Sequence, residues 1–193
     1  MLPALKKRFA VLESQKNQLL DYYADLSPEQ LAFQPTPQSW SLIQVGQHLM
    51  NTEVVVGRMA TQGLEQARPG QKAPITSHFW LLFGVMMLSL PITRFKVPES
   101  AAKEIVPGPP IELEVLRDDW QKCRQHWIAL LDQFTPDQAG CPVFTHPRLG
   151  RLNISQTLQF LANHFDHHLM QTGRIQRHPD YPYRRTTPKT PPT

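Results

Sequence analysis

Residues 153–177 read NISQTLQFLANHFDHHLMQTGRIQR. Ile154, Leu158, Leu161, Phe165, Thr172 and Ile175 recur at the three- and four-residue spacing of one helix face. Asn153 offers an N-cap, and Gln156, three residues on, closes a capping box. The pattern predicts a long helix ending near Arg177, before His178 and Pro179. His164 and His168 lie on its inner face, one turn apart. Imidazole is a poor core filler, because its ring nitrogens need partners when dry. Several imidazoles turned toward one core therefore point to a shared cation.

Working outward, three more long helices are expected. The first runs from near Leu2 to Asp25, with Leu5, Phe9, Leu12, Leu19 and Tyr23 at helical spacing and Lys6, Lys7, Glu13 and Lys16 on its polar sides. A short helical turn follows at LSPEQL, where Ser27 caps, Pro28 takes the first helical position and Gln30 closes the box. The second long helix starts after PTPQSW with Ser41 as cap and Gln44 closing its box, and it ends at Gly63 and ARPGQKAP. Leu42, Val45, Leu49, Thr52, Val56 and Met59 form its inner stripe, and His48 sits on that stripe. The third runs from Ile111 to Phe134, its stripe made by Leu113, Leu116, Trp120, Cys123, Trp127, Leu130 and Phe134. In FTPDQAG, Thr135 and Gln138 repeat the capping pattern, and HPRLGRLN is expected as loop.

These readings give an all-α, up-down four-helix bundle with a long excursion between the second and third long helices, over residues 66–110. The excursion carries the apolar run Phe79–Ile92, too short at 14 residues for a membrane span of ~20 residues and interrupted by Pro91. It is read as a buried or oligomer-facing helix, with a membrane-surface or partner-binding element as the rival. Loops of such length usually cover a site or an interface. Residues 1–177 are expected to form the bundle, and the basic, Pro/Thr-rich residues 178–193 a disordered tail.

At 193 residues the chain suits one domain with a substantial core. A net charge of +4, spread along the chain, gives no nucleic-acid signature. Cys123 and Cys141 form no C-x-x-C pair, which argues against a zinc ribbon or a redox motif; they are read as reduced thiols. The start MLPALKKRFAVLESQ is amphipathic and charged rather than a secretory signal, so a cytoplasmic location is expected.

A weak internal repeat links the halves. LSPEQ, a loop, a capped helix and a histidine recur as FTPDQ, a loop, a capped helix and a histidine. Ser41 to His48 is 7 residues and Asn153 to His164 is 11, a difference of about one helical turn. Two similar hairpins can thus bring their histidines together from facing helices. His164 and His168 can bind one ion, and a third imidazole would make a facial set with open positions, the arrangement of catalytic sites. H-x-x-x-H alone is a weak signal, and spacing leaves the third ligand open, with His167 a rival. The pattern H-E-x-x-H is absent, because Phe165 stands where its glutamate would be.

Three stretches carry a family resemblance: LSPEQLAFQPTPQSWSLIQVGQHLMNTE, FKVPES, and HPRLGRLNISQTLQFLANHFDHHLMQTGRIQ. With them the chain resembles the DinB-like superfamily of metal-binding four-helix bundles, especially its YfiT-like branch. The resemblance implies His48, His164 and His168 as the metal ligands, and nickel or zinc as the ion. It further implies a homodimer and activity as a metal-dependent hydrolase or a low-molecular-weight thiol S-transferase acting on a small molecule. The rival is a non-catalytic bundle whose ion is structural. Among other residues, His146 is placed near the site mouth or simply in a turn before Pro147, and Gln171 as a residue orienting a ligand. Trp40 is a packing anchor at the helix start; His78, His126 and His178 are surface or boundary positions. Asp166 points away from the His164 and His168 face.

Overall fold

The computed structural model describes residues 1–68, 70–73, 103–147 and 149–183. The apolar run Phe79–Ile92, with His78, lies outside them, as do residues 184–193. Four long helices carry the fold: α1 (Pro3–Ala24), α3 (Leu42–Glu65), α4 (Leu113–Asp132) and α5 (Ile154–Gln176). The short α2 (Pro28–Ala32) lies between the first two. Capping boxes at Ser27/Gln30, Ser41/Gln44 and Asn153/Gln156 are all formed. Each pair satisfies two backbone donors that the first turn leaves open. At Thr135 only half of the box forms: Gln138 Oε1 accepts from Thr135 N and Oγ1, while Gln138 N donates to the Thr135 carbonyl, no long helix follows, and the segment stays a turn.

The all-α four-helix bundle is as expected, and its directions are now assigned. Arg8 meets Gln159 and Gln15 meets Asp166, so α1 and α5 run parallel. Glu53 meets Trp120, and Gly57 lies against Trp127, so α3 and α4 also run parallel. The order is up, down, down, up. With α3 and α4 parallel, the end of α3 at Glu65 and the start of α4 at Leu113 lie toward opposite ends of the bundle.

The end of that connection is tied to α3 in a way the sequence did not suggest. Gln44 Nε2 donates to Gly108 O at 2.9 Å and Gln47 Nε2 to Pro109 O at 3.1 Å. Prolines at 107, 109 and 110 lack N–H donors, and the carbonyls of this stretch are taken up by side chains of α3 instead. As a result α3 is buried on every side from Leu42 to Met50.

One expectation is corrected. HPRLGRLN is not loop alone: β1 (Pro142–His146) and β2 (Gly150–Asn153) form an antiparallel hairpin with a bulge between Pro142 and Phe144. Gly150, at φ +75°, takes the left-handed conformation its turn needs. The hairpin packs on α3, where Gly63 faces Val143 so closely that an added Cβ would lie 2.1 Å from the Val143 carbonyl oxygen. Past Arg177, Tyr181 is buried, with its ring edge-on to Phe33 at 5.5 Å.

The core holds Trp120, Trp127, Phe165 and the aliphatic stripes of all four helices. It also holds charge. Lys16, expected on a polar side, is buried and bonds Glu13. Glu53 and Arg124 are 3% and 1% exposed and pair at 2.8 Å. Trp120 Nε1 donates to the Glu53 carboxylate at 3.0 Å, and Trp127 Nε1 to its backbone carbonyl at 3.2 Å. Burial raises the Glu53 carboxyl above its usual range, against the pull of Arg124 and the Trp120 bond. Charges this dry persist only when paired and hydrogen-bonded. The spacing carries a signal for this pair: Glu53 falls between Leu49 and Val56 on a buried stripe, and Arg124 between Trp120 and Trp127.

Candidate metal centre

His48 comes from α3, and His164 and His168 from the facing α5. The chain separates His48 from His164 by 116 residues, and the bundle brings one ring nitrogen of each of the three within 4.8 Å of the others. His164 Nε2 stands 3.3 Å from His48 Nε2 and 3.2 Å from His168 Nε2. His48 and His168 are buried, and His164 is partly open to solvent.

Tautomers follow from the outer bonds. His48 Nδ1 lies 2.9 Å from the Ile105 carbonyl oxygen, which can only accept, so Nδ1 carries the proton. His168 Nδ1 lies 2.8 Å from Gln171 Oε1, with the same consequence. Both Nε2 atoms therefore turn lone pairs toward His164 Nε2. One hydrogen on His164 could satisfy only one of them. A shared cation satisfies all three, and this is the fit the donor set offers. Imidazoles bound tetrahedrally at ~2.0–2.1 Å would hold their nitrogens about 3.3–3.4 Å apart, close to the two spacings found. A second bond from each buried imidazole to a carbonyl or amide oxygen is the arrangement that orients metal-bound histidines.

Electrostatics prepare the same state. Burial, then repulsion from neighbouring imidazoles, drives His164 well below the usual histidine range. His168 is pushed down to about 3 by burial first and then by His48, against the raising effect of its Gln171 bond. His48 is lowered mainly by burial, although its bond to Ile105 acts the other way. All three are neutral at pH 7, the form that ligates a cation.

Around them, Trp40 is more than an anchor: its ring lies 4.7 Å from that of His48 and 6.2 Å from that of His168. Phe160 lies 5.8 Å from His164, and His146 stacks behind Phe160 at 4.8 Å. His146 thus sits one ring removed from the cluster, with Nδ1 accepting from Leu149 N in the turn. His167 meets His168 edge-on at 5.1 Å but is not one of the converging set. Asp166 is turned away and bonded by Gln15, as expected. His126 lies near Thr61, and His178 packs near Phe33. Both cysteines are free and buried; burial pushes Cys123 up to about 12, which leaves it inert as a nucleophile. No described helix is long and apolar enough to cross a membrane.

Residues 12–172 match the DinB superfamily. The chain belongs to the DinB superfamily. Among solved structures it is similar to YfiT from Bacillus subtilis, with a TM-score of 0.54 and 18% identity over 90% of this chain and 86% of that one. That protein is described as "a probable metal-dependent hydrolase with an unusual four-helix bundle topology". At this identity the likeness is one of fold. A comparison with curated proteins finds no match.

Proposed function

We propose that this DinB-superfamily protein is a metal-dependent hydrolase of small molecules, with His48, His164 and His168 holding one divalent ion. The observation that carries the reading is the convergence of three ring nitrogens, two of them with tautomers set by outer hydrogen bonds. The four-helix likeness to a protein described as a metal-dependent hydrolase supports it. Three neutral ligands leave a divalent ion its full charge and open positions, and such an ion lowers the pKa of a water or thiol that it coordinates.

The protein's own residues supply the rest. The Ile105 carbonyl and Gln171 hold His48 and His168 in one tautomer and one ring orientation. Trp40 and Phe160 wall the cluster with apolar ring faces and limit the water around it. Partly exposed His164 marks the side from which a substrate can approach. Nickel or zinc as the native ion, a small thiol as co-substrate and a homodimeric state come with the family resemblance and are part of this proposal.

The test uses protein purified without a polyhistidine tag, stripped by chelation and reloaded with zinc or nickel in turn. Ester, amide and thiol-transfer substrates are assayed before and after reloading. Metal-dependent hydrolysis is expected, with its loss in His48→Ala while the far-ultraviolet circular dichroism is unchanged. Turnover indifferent to chelation would contradict the proposal. So would a stripped protein that unfolds and a reloaded one that is inert, which is the behaviour of a structural ion.

A further inference from the structure

We infer that the groove running along α5 beside His48 and His168 binds the acid end of an amphipathic small molecule, a carboxylate or phosphate held by Arg174. The inference rests on the metal-centre reading only for what happens next to the groove. The groove itself is a cavity of about 570 Å³ lined by Gln38, Trp40, Gln171, Arg174, Ile175 and His178, among others. That volume falls in the ~300–1,000 Å³ range of small-molecule sites.

Two wall residues belong to the cluster's own surroundings. Trp40 packs on the rings of His48 and His168, and Gln171 bonds His168. A molecule seated in the groove is therefore one side chain away from the converging nitrogens. Gln171, Arg174 and Ile175 continue, turn by turn, the side of α5 that carries His164 and His168, and His178 follows just past the helix end.

The charge in this groove is one-sided. Among the described residues, none that lines it is a carboxylate. The ion pairs and hydrogen bonds among the described residues leave the exposed Arg174 guanidinium without an acidic partner, whereas His178 has Asp180 at 3.8 Å. A planar guanidinium fork matches the two oxygens of a carboxylate or phosphate, and the indole face of Trp40 suits an apolar or aromatic ligand body. The recognised class is thus an acid with an apolar middle, its far end reaching toward the histidines.

The test is a titration of the full chain with phenylacetate, phenylphosphonate and neutral phenylacetamide, read at the Trp40 indole N–H by NMR and assigned with Trp40→Phe. It is run on metal-free and zinc-loaded protein. Both anions are expected to shift the Trp40 signal saturably, with phenylacetamide about tenfold weaker. Arg174→Gln should weaken the anions by about the same factor, and Arg174→Lys by less, with zinc affinity kept in both variants. The stronger anion of the two identifies the acid group. Equal binding of phenylacetate and phenylacetamide, no shift at all, or binding indifferent to residue 174 would overturn the inference. The two readings fail separately. If zinc does not bind but the Arg174-dependent shifts persist, the metal reading falls and the groove stands. If zinc binds and phenylacetate needs zinc but not Arg174, the groove falls and the metal reading stands.

Discussion

The Nδ1 of His48 donates to the backbone carbonyl of Ile105 at 2.9 Å. This bond ties a buried ring of α3 to the last part of the long connection before α4. Gln44 and Gln47, on the same helix, bind the carbonyls of Gly108 and Pro109 just beyond. The connection that reverses the bundle's topology therefore also sets the tautomer of one candidate ligand.

Gln171 plays the matching part for His168, 2.8 Å from its Nδ1. Gln171→Leu removes the acceptor without changing any of the three histidines. A fall in zinc or nickel affinity of about 10–100-fold is expected, measured by calorimetric titration. Unchanged affinity would mean that the ring is held by packing alone.

The pH dependence of the metal-free protein follows from the lowered histidines. Their folded-state pKa values lie below the unfolded value of ~6.5, with His168 at about 3. Between those limits the unfolded chain binds more protons, so stability is fully present above ~6.5 and is lost as pH falls. Each deeply buried imidazole contributes up to about 1.4 kcal/mol per pH unit. Urea unfolding at pH 7.5, 6 and 5 should show this loss in the metal-free wild type. A variant with glutamine at positions 48, 164 and 168 should show a flatter dependence.

The buried Glu53–Arg124 pair predicts an asymmetry. Arg124→Met alone leaves an unpaired buried carboxylate and should destabilise by about 3–5 kcal/mol. Adding Glu53→Leu should recover much of that loss, because the uncompensated charge is gone. Denaturant melts of the two single variants and the double variant measure the coupling; strictly additive losses would contradict the pair as described.

Gly63 offers a steric test of how the hairpin seats on α3. A Cβ there would meet the Val143 carbonyl oxygen at 2.1 Å, so Gly63→Ala must push β1 away. A cost of about 1–3 kcal/mol is expected despite alanine's better helix propensity, read by thermal or urea unfolding.

The four long helices were legible because helical spacing is a local property of the chain, and so were the caps of α3 and α5, because the S/N-x-x-Q pattern is local too. His164 and His168 were legible as a pair for the same reason. Spacing could not supply His48 as the third member, since its approach depends on which helices face one another; the family resemblance supplied it. The hairpin was hidden in a stretch where Pro147 and Gly150 read as loop, and its pairing needs only a few residues on each side. Among the core charges, Lys16 was placed on a polar side by residue type, and Glu53 and Arg124 drew no reading although both sit on buried stripes. Tyr181 was hidden by the composition of the tail around it, and only its contact with Phe33 reveals it as part of the bundle.

The central claim is that His48, His164 and His168 form one site for one divalent ion. Calorimetric titration of tag-free, chelator-stripped protein with zinc tests it most directly, beside the His48→Ala and His164→Ala variants. The account predicts one ion per chain in the wild type and none bound at that site in either variant, with helical content kept. Zinc binding that survives both substitutions, or a folded wild type that takes up no zinc or nickel, would contradict it.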